Sequence, residues 1–506
     1  MWQKFTFYDF RVIAHYLGTL MLFLTAALCA PFLVAVVLHE WMPAARYLFS
    51  IGICLIIASA LRMFRISPGR LNHRQALAVT SFAWLILALA GAIPLYFSGH
   101  YGSYLDTVFE CMSAWTTTGA TLVQDVDHIA MADNMWRFTM QLVGGQGVIV
   151  IALSLGMFGR AVDSSLYSSE GRSEHVVPNI MQTTQFIVRF SVMIILIGSV
   201  ILAFACLFLG MSPTRALFNG MWLSIASFNT GGMTSMSPGM LYYHSGLIEM
   251  VAMVIIVIGS INFTLHNEMW KGRIEHFFKD IEVRTLFVWL SIAVVVFSLS
   301  ICASGVYDDL PTLLRRTVFT VVSAFSSTGF QTISSNQLTT VISSGALLIL
   351  VFCMAMGGSA GSTTGGIKAF RVGILLKELT AYIKEVLAPE SSRQVVMYYH
   401  VGRRPLNNSL VRANLAVFIL FCSAFLVSTI VTVAFGYDAA AAMFESVSVT
   451  SNIGMSAGII SPGMPDVLKL LYIFDMWAGR LEFIALIALL TSIVMSIKPK
   501  KKVRRG

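Results

Sequence analysis

Apolar runs of about 18 or more residues recur along the whole 506-residue chain. At four places they give way to a half-length apolar segment that ends in a short polar loop. Two full spans are predicted first, at about 12–38 and 47–64, followed by a basic stretch from Arg62 to Arg74. One unit then repeats four times: a span, a short amphipathic helix, a glycine-containing loop and a second span. The first unit places these at about 76–97, 104–116, 117–121 and 136–160, and the second at about 183–210, 214–228, 229–235 and 243–268. The third lies at about 285–306, 311–326, 327–332 and 341–385, the last with a break, and the fourth at about 410–436, 438–450, 451–457 and 468–497.

About 12 residues of helix reach roughly 18 Å, against roughly 30 Å of hydrocarbon. The short helices can enter a membrane but not cross it, so the chain must turn at depth and come back. Non-helical backbone is tolerated there only when it is buried in protein or lines a watery path. The four turns share a phase. They are Ser113–Gly119, Ala226–Gly232, Ser323–Gly329 and Ser448–Gly454, each with a glycine four residues after Trp115, Phe228, Phe325 or Thr450. Ten residues before that glycine stands Phe109, Trp222, Phe319 or Phe444. Small-residue helix packing explains one or two such sites, not four in register after half-length helices. The fold class predicted is an all-α membrane protein, with four pseudo-symmetric span–pore helix–span repeats around one pore, preceded by two extra transmembrane helices. The divisions expected are 1–74 for the leading spans, then 75–170, 171–283, 284–405 and 406–506 for the repeats, the last with a basic cytoplasmic tail. A ring of backbone carbonyls from such a fourfold array is how proteins replace the water around K⁺.

Composition agrees. The chain is 57% hydrophobic and 12% charged, where soluble domains carry about 25% charged residues. The first apolar run is too long for a cleaved signal and is read as a retained span. Net charge +9 raises the question of nucleic acid, but the distribution of bases excludes it as a partner. With spans placed by hydropathy, 27 of the 34 Lys and Arg fall on one side, including Lys271, Arg273, Lys279, Arg284, Arg403, Arg404 and the Lys500–Lys502 tail. That asymmetry puts both termini in the cytoplasm and the tail against lipid headgroups of the bilayer. Asp106, Asp125, Asp127, Asp133, Asp308, Asp309, Asp438 and Asp466 fall on the opposite side, where a negative mouth would concentrate cations. Glu110 and Glu445, on the first and fourth short helices, are expected to be buried and paired or hydrogen-bonded. The seven cysteines stand singly in apolar stretches and read as buried small apolar residues. No nucleophile–base or metal constellation supports an enzyme.

Three stretches carry a resemblance. Thr116-Thr117-Thr118-Gly119-Ala120-Thr121, the run from Gly357 through Ser359, Gly361, Thr363 and Gly366 to Lys368, and Gly479-Arg480-Leu481-Glu482 are similar to motifs of the Trk/Ktr/HKT superfamily of cation transporters. The leading pair of spans resembles its Trk membrane subunits more than the shorter Ktr ones. The resemblance implies potassium uptake through a selectivity filter with one glycine per repeat: Gly119, Gly232, Gly329 and Gly454. The carbonyls ahead of them, on Thr117 and Thr118, Thr230 and Gly231, Ser327 and Thr328, and Asn452 and Ile453, would be the K⁺ ligands. Serine replaces the first glycine in Na⁺-preferring plant relatives, so glycine at all four positions favours K⁺.

Five glycines between Gly357 and Gly366 break the second span of the third repeat, a density no stable helix survives. This stretch lacks the strand and spacing of a phosphate-binding loop. The resemblance implies that Gly357, Gly358, Gly361, Gly365 and Gly366 belong to an intramembrane loop that blocks the pore beneath the filter. Arg480, the strongly basic residue well inside a span, must face a partner or water. It either pairs with Glu482, Asp475 or a pore-helix carboxylate, or projects into the pore to support the gate, as the resemblance implies. Asn262 and His266 read as a helix contact. The resemblance further implies a homodimer and a cytosolic TrkA-type nucleotide-binding regulatory subunit. No cofactor is expected on this chain itself. A second reading is an H⁺- or Na⁺-coupled cation symporter, but such proteins commonly show two inverted halves, whereas these repeats are four and parallel.

Overall fold

The computed structural model describes residues 5–64, 71–123, 125–147, 180–389 and 395–497. The leading pair is α1 (Phe7–Val37) and α2 (Trp41–Arg62). The first repeat is α3 (His73–Tyr96), α4 (Tyr104–Trp115) and α5 (Met131–Gly145). The second is α6 (Ile180–Phe208), α7 (Pro213–Phe228), α8 (Gly246–Ser260) and α9 (Phe263–Trp270), with α10 (Ile274–Lys279) leading onward. The third is α11 (Ile281–Ala303), α12 (Leu310–Phe325), α13 (Ser335–Thr340), α14 (Ser344–Met356) and α15 (Ala369–Leu387). A two-stranded antiparallel hairpin, β1 (Met397–Tyr399) and β2 (Arg403–Pro405), precedes α16 (Asn408–Ala434), α17 (Ala439–Thr450), α18 (Asp466–Arg480) and α19 (Ile484–Ile497).

Among the described residues six helices are long and apolar enough to cross a membrane, or eight if each bent pair counts as one span. The short helices α4, α7, α12 and α17 have 12, 16, 16 and 12 residues and begin and end within a residue or two of where the pattern predicts. Each start has a local cause. Ser103, Asp309 and Asp438 accept backbone N–H groups of the first turn, and Pro213 stands at the head of α7. Phe109, Trp222, Phe319 and Phe444 are all buried, which explains the aromatic at fixed distance from the glycine: it anchors each short helix in the core.

The second spans differ from expectation. The sequence reading breaks only the third, yet α8 and α9 meet at 98° and α18 and α19 at 108°. Part of the first repeat's second span (148–160) and the basic tail lie outside the described residues. The two bends fall where the second spans meet the pore helices. A Cβ at Gly144, Gly259 or Gly479 would overlap the carbonyl oxygen of Trp115, Phe228 or Thr450, the last helical residue of α4, α7 or α17. These glycines bring the second spans against the pore-helix ends, and the chain turns just beyond them in the second and fourth repeats. Asn262, read as a helix contact, donates its amide to Glu282 of α11 at 3.3 Å and also caps α9 by accepting the Thr264 N–H at 2.8 Å. Of the cysteines, Cys29 and Cys302 are exposed on the outer faces of their helices rather than buried.

Candidate cation filter and pore loop

Each pore helix ends in the same hydrogen-bonded turn. The N–H groups of Thr118, Gly231, Thr328 and Ile453 reach back to the carbonyls of Ser113, Ala226, Ser323 and Ser448 at 2.8–2.9 Å. Those of Thr117, Thr230, Ser327 and Asn452 reach the carbonyls of Ala114, Ser227, Ala324 and Val449 at 3.0–3.3 Å. This pair of bonds is the Schellman ending of a helix, which needs a left-handed residue after the cap. That residue is usually glycine. Here it is Thr117, Thr230, Ser327 and Asn452, at φ +56°, +49°, +57° and +55°. Two residues on, Gly119, Gly232, Gly329 and Gly454 are again left-handed at +87°, +63°, +89° and +81°.

The four turns meet in a closed ring. A Cβ at Gly119 would overlap the carbonyl oxygen of Gly231; at Gly232, that of Thr328; at Gly329, that of Ile453; and at Gly454, that of Thr118. The order runs through repeats one, two, three, four and back to one. Each of these four glycines thus seats against the carbonyl just ahead of the next repeat's glycine. Glycine is required twice over, by φ and by this backbone approach. The ring is not uniform. The Gly231 carbonyl also accepts hydrogen bonds from the Met233 N–H and the buried Gln141 side-chain amide. The other turns have Thr118, Thr328 and Ile453 at that place, with side chains; the room beside Gly231 is filled by Gln141.

Two of the residues after the caps, Thr230 and Ser327, touch the loop between α14 and α15 with their side chains. Thr230 Oγ1 is 3.1 Å from Thr363 Oγ1, and Ser327 Oγ donates to the Gly365 carbonyl at 3.4 Å. A Cβ at Gly365 would overlap the Ser451 carbonyl, beside Asn452. The loop closes on itself through bonds from Ile367, Lys368 and Ala369 N–H to the carbonyls of Ala355, Met356 and Gly358 at 2.8–3.1 Å. Its five glycines divide between left-handed φ (Gly357, Gly361, Gly366) and tight contact (Gly358, Gly365). The loop docks into the break of the second repeat as well. Thr363 Oγ1 donates to the Gly259 and Phe228 carbonyls at 3.0 and 3.2 Å, and Ser359 N–H to the Ser260 carbonyl at 3.1 Å.

Arg480 joins three of these parts. Its guanidinium donates to the Thr363 carbonyl at 3.1 Å, the Gly144 carbonyl at 3.0 Å and Thr117 Oγ1 at 3.4 Å. Glu482, its expected alternative partner, is turned elsewhere: Lys368 Nζ lies 2.8 Å from its carboxylate, and the Arg371 guanidinium is also bonded to it. This buried cluster fixes the far end of the loop to the bend of the fourth repeat. Glu482→Ala leaves two buried cations facing each other, so it is expected to destabilise the protein by about 3–5 kcal/mol, read as a lower thermal transition of the detergent-solubilised protein. A variant as stable as the parent would show that the cluster is not the fastening.

Outside the ring the expected acids divide. Asp106 is buried against Lys469 at 2.7 Å and Asp133 against Arg46 at 3.0 Å, while Asp309 and Asp438 cap pore helices. At least half of the predicted negative mouth is therefore structural. Glu110 and Glu445 are buried and brace the segments that follow Gly119 and Gly454. Glu110 bonds Arg137, Thr121 Oγ1 and Leu122 N–H, and Glu445 accepts from Ser456 Oγ and from the Ala457 and Ile460 N–H groups at 2.7–3.1 Å. The sequence reading names Thr363 and Lys368 only as members of the glycine-rich motif and gives no role to them, to Arg371 or to Gln141. The first three stand in or beside the glycine-rich motif, so their signal was proximity; Gln141, buried in α5, had none.

Residues 46–500 match the family described as TrkH, cation transport protein. An uncharacterized cation transporter of Methanocaldococcus jannaschii is 33% identical over 428 residues, 84% of each chain. The Trk system potassium uptake protein TrkH of Salmonella typhimurium is 28% identical over 494 residues, 95% of this chain and 98% of that one. The crystal structure of the potassium transporter TrkH from Vibrio parahaemolyticus superposes with a TM-score of 0.81, over 95% of this chain and 98% of that one, at 24% identity.

Proposed function

Because this chain belongs to the TrkH family of cation transport proteins, we propose that it carries potassium into the cell by gated permeation down the membrane potential. The observation that carries the reading is the closed ring of glycine-on-carbonyl contacts, with the glycine-rich loop seated under it. In this reading the filter carbonyls replace water around K⁺, and Gly119, Gly232, Gly329 and Gly454 keep side chains out of the way. The negative ends of the pore helices favour a cation at their C-termini. The potential supplies about 2.3 kcal/mol per charge per 100 mV. The loop at Gly357, Gly358, Gly361, Gly365 and Gly366, with Arg480, is the obstruction that must move.

The proposed setting is the plasma membrane, the inner membrane if the cell is bacterial, with both termini cytoplasmic. Two copies side by side and a cytosolic TrkA-type nucleotide-binding subunit complete the assembly; relatives named as parts of a Trk system support a partner of that kind. In cells lacking K⁺ uptake, expression with the regulatory subunit is expected to give Rb⁺ influx that exceeds Na⁺ influx and collapses with the membrane potential. Equal entry of Rb⁺ and Na⁺ would overturn the potassium assignment. Influx that follows a Na⁺ or H⁺ gradient at fixed potential would overturn passive permeation in favour of symport.

A further inference from the structure

We propose that His400 and Asp280 are positioning residues that clamp the pore loop from the β-hairpin, holding it in its seated place. The proposal rests on the reading of the glycine-rich loop as the movable obstruction. His400 lies at the hairpin turn, 1% exposed, with Nδ1 3.0 Å from Asp280 Oδ2. Asp280 is wholly buried and caps α11: it accepts the Glu282 N–H at 2.8 Å and the Val401 N–H at 3.1 Å. Glu282, also wholly buried, accepts the Ala360 N–H of the loop at 2.7 Å and the Asn262 amide at 3.3 Å. Four residues therefore run from the hairpin turn to the first half of the loop. A second connection reaches the loop's other end. The His400 ring packs on Phe370, centroids 4.9 Å apart, and Phe370 follows the loop's exit at Ala369.

Nothing about the hairpin itself calls for this wiring. Its second strand is exposed, and Tyr398 and His400 are its buried wedge. Two buried carboxylates are costly unless firmly hydrogen-bonded, yet here they join the hairpin to the loop's backbone. His276 further holds the hairpin, with Nδ1 3.0 Å from the Val401 carbonyl and 3.2 Å from Tyr399 Oη. A cavity of about 170 Å³ beside Gly358, bounded by Ile261, Phe277, Val283 and Phe325, gives the loop's start room to shift once the clamp slackens.

The test compares His400→Ala, His400→Asn and Arg480→Ala in the full chain, by Rb⁺ influx at matched membrane abundance. His400→Ala is expected to raise influx about fivefold, the equilibrium shift from losing one net hydrogen bond, with an unchanged Rb⁺/Na⁺ ratio. Asparagine, whose amide can stand where Nδ1 stands, is expected to restore the parent rate. A merely structural histidine would lower influx and abundance together. If His400→Ala does not reach the membrane, Asp280→Asn replaces it; this variant keeps a carbonyl acceptor for the N–H groups and is expected to raise influx in the same direction. A rise with Arg480→Ala but none with the clamp variants overturns the clamp and leaves the loop as obstruction. A rise in none of them overturns both.

Discussion

Gly329→Ala is expected to abolish cation uptake while the protein still reaches the membrane. The site fails in two ways at once. Gly329 sits at φ +89°, where an L-residue is strained by about 1–2 kcal/mol. The new methyl would also overlap the Ile453 carbonyl oxygen, which belongs to backbone and cannot swing aside as a side chain does. Ile453 is held by its N–H bond to Ser448 at 2.9 Å, so relieving the overlap must displace the fourth repeat's turn. Overpacking of that kind costs about 1–3 kcal/mol. If the two costs fall on the conducting geometry, a total of about 3 kcal/mol is roughly a 100-fold loss of flux. The same result is expected at Gly119, Gly232 and Gly454, because each occupies the same place in the ring. Gly52→Ala is the control: nothing lies within 4 Å of the added carbon, and the residue is in the middle of α2, so helix stability should rise slightly. Rb⁺ influx within twofold of the parent for Gly329→Ala would mean that the ring is not the conducting constriction.

The extent to which this site is legible in the sequence follows from what each part depends on. The pore helices depend on local signals: a cap, an apolar face, an anchoring aromatic and a polar ending at fixed spacing. Their ends are therefore legible to within a residue or two. The glycines are legible for the same reason, since a left-handed position repeated in phase leaves a mark in composition. The left-handed Thr117, Thr230, Ser327 and Asn452 leave no such mark. They hold that conformation because the helix ending and the loop beneath make up for its strain. The bends near Ser260 and Arg480 were also hidden. Ile261 reads as span, and Glu482 and Phe483 adopt φ +53° and +61° against their own preference. The Glu482 conformation is held by a carboxylate engaged by Lys368 and Arg371, partners more than 100 residues away. Likewise the outer acids read as a field of charge because their partners Arg46 and Lys469 are remote in sequence. Local preference is visible in a sequence; strain held by distant contacts is not.

Arg480→Ala is expected to raise cation flux, and the substitutions around it separate two reasons why. The guanidinium is both a charge beneath the filter and a tether on the loop, through the Thr363 carbonyl. As a charge, it repels a cation about 6 Å away by roughly 3 kcal/mol at an effective dielectric of about 20, a barrier worth about two orders of magnitude in rate. As a tether, it contributes about 1.5–3 kcal/mol through a charged hydrogen bond, which favours the seated loop. Alanine removes both, and the rise should be the largest of the series. Lysine keeps the charge but loses the planar fork that spans the Thr363 and Gly144 carbonyls, 3.1 and 3.0 Å from separate nitrogens. If the charge is the barrier, Arg480→Lys stays near the parent rate. If the tether dominates, Arg480→Lys rises toward alanine. Glutamine, neutral but able to donate to one carbonyl, should fall between alanine and the parent in either case. Equal influx for the parent and Arg480→Ala at matched abundance would show that neither the charge nor the tether limits permeation.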